Sequence, residues 1–293
     1  MKPAWSVLLL TTLIGAGQGL FLALFAAQAS GRLLFAGSGL SFALLAAGLL
    51  ASFFHLGHPE RAWRSAAMWR TSWLSREVIV LPAFMALVAA YAWTPSLPVG
   101  VLGVVACLAL FVCTGMIYAC LPFLQEWRTP LTIVNFTLLG CASGLTAAAA
   151  LAAWLEPALA RPYALAALMV GALAYLGRLA SLYRNTRLRP KSTLASAIGV
   201  KHPKITQIAQ GAMGGSFNTR EFFHGRPREV VRAARWTLLA LVFPVPAALL
   251  LGPPSVPLLT SAFLLQYFGL LAERWYFFAE AQHPQNLYYQ AIA

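Results

Sequence analysis

Apolar residues run along the chain in eight long stretches, at 5–28, 33–56, 77–94, 98–121, 131–154, 161–180, 234–252 and 256–280. Polar and charged residues gather in the links between them. A helix rises 1.5 Å per residue, so about 20 apolar residues cross a hydrocarbon core of roughly 30 Å. Each stretch therefore predicts a membrane-spanning helix. The first exceeds the usual 7–15-residue apolar core of a signal peptide and lacks an Ala-x-Ala cleavage context, which predicts a retained span. Pro82, Pro244 and Pro246 fall inside spans, where a missing N–H bends a helix or frees a carbonyl. The expected fold is all-α: one integral-membrane domain over residues 1–293 with eight transmembrane helices and a long loop, 181–233, between the sixth and seventh.

Composition agrees. Of 293 residues, 60% are hydrophobic and 10% charged, against about half and a quarter in soluble domains. This excludes a soluble enzyme, a secreted disulfide scaffold and a disordered chain. The net charge of +13 arises from 21 Lys and Arg against eight acidic residues, all Glu. If the spans are right, all the cations except Arg32 and Arg161 lie on one side. The positive-inside rule makes that side cytoplasmic, with both termini there, as an even number of spans requires. The charge thus follows topology and does not argue for nucleic acid. The expected location is a bacterial inner membrane.

Cys107, Cys113, Cys120 and Cys141 fit no zinc or iron–sulfur spacing and are expected to pack. No Gly-x-Gly-x-x-Gly, Walker loop, His-Glu-x-x-His or Gly-x-Ser-x-Gly is present. The small residues Gly15, Ala16, Gly17 and Gly19, and Gly140, Ser143 and Gly144, predict close helix contacts. Gln18 and Gln266, near mid-bilayer, are expected to form interhelix hydrogen bonds.

Ionisable and strongly polar groups inside spans are few and therefore candidates for function. His55 ends the second span, Glu77 opens the third, Tyr118 lies near the end of the fourth and Asn135 near the start of the fifth. Glu273 and Arg274 sit in the last third of the eighth. Alternation of helix direction puts all six at similar depth, toward the cytoplasmic leaflet. Structural readings exist: His55 bonded to a carbonyl, Arg61 and Arg64 on lipid phosphates, Glu77 paired with Arg76 or Arg70. A His, a carboxylate and a Tyr at one membrane face suit a quinone head, which needs donors to its carbonyls and a proton partner. A bis-His haem needs two His on facing helices, and only His55 lies in a span, so neither haem nor a metal is expected in this chain. Residues 178–235 hold 12 Lys or Arg against two Glu. Their Gly214-Gly215 and Phe/Asn/Arg/His pattern predict a docking surface for a soluble partner.

The run Ser52-Phe53-Phe54-His55-Leu56-Gly57-His58-Pro59-Glu60-Arg61-Ala62 resembles the His-Leu-Gly-x-Pro-x-Arg-Ala signature of the membrane-anchor subunit family of dimethyl sulfoxide reductase. Ser72-Trp73-Leu74-Ser75-Arg76-Glu77 is similar to the Ser-x-Glu element that follows it there. Tyr118, the Trp127-Arg128-Thr129-Pro130 turn and Glu273-Arg274 fall at matching places, so the resemblance covers most of the chain. It implies an anchor without metal that holds a molybdopterin catalytic subunit and a four-cluster iron–sulfur subunit on the membrane. It also implies electron exchange between the nearest cluster and a quinone, either ubiquinone or menaquinone. His55 and Glu77 are the implied quinone-reactive pair. Arg61, Tyr118, Asn135, Glu273 and Arg274 complete the candidate cofactor-binding set. The best-known members carry their catalytic subunits in the periplasm, whereas here Arg61, Arg64, Arg70 and Arg76 put the motif-bearing loop in the cytoplasm. The chain is thus more similar to the cytoplasm-facing sulfite dehydrogenase anchor branch. Sulfite oxidation with quinone reduction is the expected reaction. A quinol-oxidising anchor of an S- or N-oxide reductase is the alternative, and a passive tether or a transporter are the rivals of another class.

Overall fold

A computed structural model of the chain describes residues 4–54, 56–189, 193–202, 204–205 and 228–281. The helices are α1 (Trp5–Ala26), α2 (Gly31–Phe53), α3 (Trp73–Trp93), α4 (Leu97–Ala119), α5 (Pro130–Leu155), α6 (Pro157–Thr186), α7 (Leu194–Ile198), α8 (Arg228–Val242), α9 (Pro244–Leu251) and α10 (Val256–Glu280), with a short 3₁₀ helix at Pro59–Ala66. No strand occurs among the described residues. Eight of these segments are long and apolar enough to cross a membrane, the seventh being Arg232–Leu251 across α8 and α9. The eight expected spans are all present.

Helix ends follow local chemistry. Ser72 accepts from the Ser75 N–H at the start of α3, and Thr129 caps α5 ahead of Pro130, each taking up an amide the first turn leaves free. Pro157 opens α6 after the single linking residue Glu156, where a missing N–H is harmless. The α8–α9 break falls at Phe243, just ahead of Pro244. Pro244 and Pro246 have no N–H for the carbonyls of Ala240 and Val242, so the helix changes direction there. Pro82, by contrast, lies within a continuous α3.

α1 is the central helix, with 72% of its most apolar window buried. It meets α5 through glycines: a Cβ on Gly144 would stand 2.1 Å from the Gly19 carbonyl carbon, and one on Gly19 2.1 Å from the Gly140 oxygen. Small residues allow this backbone-to-backbone contact, the usual source of helix association where lipid offers no hydrophobic drive. Gln18 Nε2 donates to the Cys107 carbonyl at 2.9 Å, and Ser41 Oγ to the Gly17 carbonyl at 2.7 Å. The interhelix role expected for Gln18 is therefore seen. Gln266 is also buried, but its Oε1 has no hydrogen-bond partner.

The two ends of the bundle differ. One has short links, at 27–30, 94–96, 156 and 252–255. The other holds the start of α1, the ends of α4, α6 and α10, and the starts of α3 and α5. There Leu8 of α1 packs with Leu124, Trp127, Phe136, Phe277 and Ala281 in one cluster, so the beginning of α1 and the end of α10 share an end. Of the basic residues, Arg32 and Arg161 begin α2 and α6 at the short-link end. Arg161 caps the last turn of α9, donating to the carbonyls of Leu250, Leu251 and Gly252.

Candidate functional site

The loop-rich end of the bundle carries a buried polar core. Its scaffold is the 120–129 turn. Trp127 Nε1 donates to the Phe277 carbonyl of α10 at 3.0 Å, and Thr132 of α5 donates back to the Trp127 carbonyl at 2.7 Å. Arg184 of α6 ties the turn from the other side, donating to the carbonyls of Gln125 and Arg128 at 3.0 and 3.3 Å. Three helices and one turn are thereby fixed around a common interior.

Glu273 and Arg274, adjacent in sequence, point in different directions, as helical geometry requires. Glu273 is 1% exposed and lies between two guanidinium groups. Its Oε1 is 3.1 Å from Arg178 Nε of α6, and its Oε2 is 3.2 Å from Arg274 Nη1. Arg178 is 2% exposed, and its Nη2 is 3.9 Å from Glu280, further along α10. Asn185 of α6 hydrogen-bonds Glu280. Arg235 of α8 donates to the Tyr276 hydroxyl at 2.9 and 2.8 Å. Arg274 stacks on Phe136, its guanidinium carbon 3.5 Å from the ring centre. Buried charges persist when paired and hydrogen-bonded, and here Arg178 of α6 and Arg274 of α10 are balanced by Glu273 and Glu280 of α10.

The cluster is incompletely bonded. Asn135 Nδ2 donates to Ser181 Oγ at 2.7 Å, while Asn135 Oδ1, Arg178 Nε and Nη2, Glu273 Oε2 and Arg274 Nε make no hydrogen bond, the Arg178 and Glu273 atoms being held by ion pairs alone. These side chains, with Asn185 and Glu280, line a cavity whose free volume of about 10 Å³ is enough for about one water molecule. Gly177 leaves room for the Asn135 side chain, since a Cβ there would stand 2.6 Å from Asn135 Oδ1. A second cavity of similar size lies on the other side of Arg274, against Thr11, Thr12 and Ser143.

Glu77 occupies a neighbouring position on α3. It is buried and takes a hydrogen bond from the Thr114 hydroxyl of α4. Among the described residues no Lys or Arg forms an ion pair with it. Arg76 is occupied elsewhere, donating to the carbonyls of Trp69 and Arg70 and stacking on Trp73. Tyr118, one turn beyond Thr114, interacts electrostatically with both Glu77 and Arg274. Its ring sits in an aromatic cage of Trp127, Phe136, Phe277 and Phe278, with centroids 5.3–5.7 Å away.

Of the residues singled out in the sequence, Glu77, Tyr118, Asn135, Glu273 and Arg274 thus share one end of the bundle. His55 lies outside the described residues. Arg61 is exposed on the 3₁₀ helix, with Nε 3.8 Å from Glu60, and is not part of the buried cluster. Of the 181–233 segment only 181–189, 193–202, 204–205 and 228–233 are described. The Gly214–Gly215 and Ser216–Gly225 patterns lie outside them.

Sequence reasoning misses Arg178, Glu280, Ser181, Asn185 and Thr114. The apolar run ends near 180 and so groups Arg178 with the basic loop, whereas α6 continues to Thr186. Helical spacing carries the signal: Ala174, Arg178, Ser181 and Asn185 fall on one face, as do Glu273, Phe277 and Glu280. Among the described residues no group of three His, Cys or acidic side chains is placed to hold a metal ion.

The chain matches the family model for the DMSO reductase anchor subunit (DmsC) over residues 2–289. It is 54% identical to a sulfite dehydrogenase subunit of Allochromatium vinosum, over 327 aligned positions that cover the whole of both chains. This chain is a multi-pass membrane protein and belongs to the DMSO reductase anchor subunit family.

Proposed function

We propose that the chain is the quinone-reactive anchor of a three-subunit, sulfite-oxidising molybdopterin enzyme in the bacterial inner membrane. Electrons pass from a docked four-cluster iron–sulfur subunit, itself fed by a molybdopterin subunit, to the quinone pool. The observation that carries this reading is 54% identity to a sulfite dehydrogenase subunit over both full lengths. Charge asymmetry supports partners on the cytoplasmic side: the loop-rich end carries the long basic segment, and the short-link end only Arg32 and Arg161.

The residues present fit a quinone by their chemistry. The one-water cavity is too small for the ring, but the α2–α3 corner at the same end of the bundle exposes Phe53, Phe54, Trp63, Met68, Trp69 and Leu74. Such an apolar ledge with a few polar groups is what a ring arriving from the lipid requires. A bound quinone supplies two-electron, two-proton chemistry. Glu77 holds or releases a proton at its carboxyl, with Thr114 fixing its orientation. The Tyr118 hydroxyl and His55 are the hydrogen-bond donors to the carbonyls. Arg274 holds positive charge near the place where negative charge develops. Aromatic side chains around Tyr118 exclude bulk water, which strengthens each of these interactions. Arg61, exposed at the signature loop, contacts the phosphates of surrounding lipid or the tail-side approach.

The test uses the complex purified with its partner subunits in mild detergent. Sulfite is expected to reduce a soluble ubiquinone analogue, and His55→Ala and Glu77→Gln are expected to lower that rate by about 100-fold or more. Quinol oxidation by an S-oxide, without sulfite activity, would reverse the direction. Full turnover in both variants would remove these residues from the site.

A further inference from the structure

The buried ion pairs do more than fill space. Beginning at the end of the bundle, Glu280 is 13% exposed at its side chain, the outermost member of the group. Behind it come Arg178, then Glu273, then Arg274, each less than 5% exposed. Five side-chain atoms of Asn135, Arg178, Glu273 and Arg274 lack hydrogen bonds, three of them held only by ion pairs, and these side chains border a cavity of one-water size. Purely structural buried ion pairs are stable when every polar atom is satisfied. A half-satisfied network round a polar cavity suits an exchangeable water. Arg274 lies on the Phe136 ring, which packs against Tyr118 with ring centroids 5.5 Å apart, and Tyr118 interacts electrostatically with both Arg274 and Glu77.

We propose that Glu280, the Arg178–Glu273–Arg274 ion pairs and the cavity they line form the proton route from the aqueous face to the quinone site, with Glu280 as its mouth. This rests on the quinone reading above. The balance is complete. Sulfite and water give sulfate, two protons and two electrons in the catalytic subunit. Quinone, two electrons and two protons give quinol in the anchor. The electrons arrive through the docked iron–sulfur subunit, whereas the protons come from water at Glu280. Glu280 faces Arg178 and Asn185 of α6, Arg235 of α8, and Glu273 and Tyr276 of its own helix. The cavity runs from Glu280 past these groups to Arg274 and Phe136, and a water in it carries a proton that far, to the side of Phe136 against which Tyr118 packs. Glu280 touches neither quinone nor a redox centre. Its role is relay, and its loss leaves ligand contacts intact.

The decisive variant is Glu280→Gln in the full complex, which keeps size and the Asn185 hydrogen bond. Quinone-coupled turnover is expected to fall by about tenfold or more, with the KM for the quinone analogue unchanged. Bleaching of the complex by sulfite in the absence of quinone keeps its wild-type rate, because electron delivery is untouched. The solvent deuterium isotope effect rises. Millimolar sodium formate, a small weak acid, restores part of the rate, and Glu280→Asp restores more. A merely structural role would respond to neither formate nor deuterium. Wild-type turnover and isotope effect in Glu280→Gln would overturn the relay alone. A wild-type complex that neither binds nor reduces the quinone analogue would overturn the quinone reading and the relay with it.

Discussion

Two buried regions of this bundle handle polar groups in opposite ways. Along the α1–α5 seam, glycines bring main chains into contact, and the nearby Gln18, Ser41, Ser143 and Thr146 each bond a carbonyl at 2.7–3.0 Å. At the loop-rich end, two Arg and two Glu are drawn together with Asn135, yet Asn135 Oδ1, Arg178 Nε and Nη2, Glu273 Oε2 and Arg274 Nε lack hydrogen bonds. In lipid an unsatisfied polar group is expensive. The seam removes that penalty completely and is a device for packing. The charged end keeps such atoms around a cavity of one-water size, held by ion pairs rather than hydrogen bonds.

The largest effect is expected in the seam. A Cβ on Gly144 would meet the Gly19 carbonyl carbon and the Leu20 nitrogen at 2.1 Å. Both are main-chain atoms, so no rotamer change relieves the clash. Gly144→Val is expected to part α1 from α5 and abolish the monodisperse peak of a fluorescent fusion in detergent chromatography. A wild-type peak and melting temperature would show that the seam is looser than its geometry implies.

The fold was more legible than the site, for a physical reason. Spans are written in composition over about 20 residues, and a misplaced end changes little. Pro130 and Pro157 even mark the starts of α5 and α6. The depth of Glu77, Tyr118, Asn135, Glu273 and Arg274 was legible too, since alternation of helix direction fixes it. Lateral arrangement was not. Which helices touch is decided by long-range packing, so helical spacing shows which residues share a face but not that Glu77 meets Thr114 or that Arg178 meets Glu273. Arg178 shows the failure most clearly: an Arg at the frayed end of an apolar run reads as a loop cation until helical phase is followed through to Asn185.

A second prediction breaks the charged end. Arg178→Leu leaves Glu273 with a single buried partner and removes the cation nearest Glu280. Breaking one side of a buried pair destabilises by about 3–5 kcal/mol, which should appear as a lower unfolding midpoint in denaturant together with loss of quinone-coupled turnover. The double substitution Arg178→Leu with Glu273→Leu is expected to recover more than half the stability and none of the turnover. That split separates the two uses of the pair. Recovery of both would mean that the ion pair serves folding only, and recovery of neither would mean that its shape matters more than its charge.

The smallest effect sharpens the contrast from the seam side. Gln18 is 1% exposed and spends its amide on the Cys107 carbonyl of α4. Gln18→Leu keeps nearly the same volume and removes one interhelix hydrogen bond. Such bonds average about 0.6 kcal/mol in membrane bundles, and the Cys107 carbonyl still accepts its own helix N–H. The variant should therefore lower the unfolding midpoint only slightly and leave sulfite-to-quinone turnover, its isotope effect and its response to formate unchanged. If Gln18→Leu slowed turnover while stability held, polar groups at mid-bilayer would belong to the reaction. The distinction between a satisfied seam and an exchanging end would then give way to one polar path running through both.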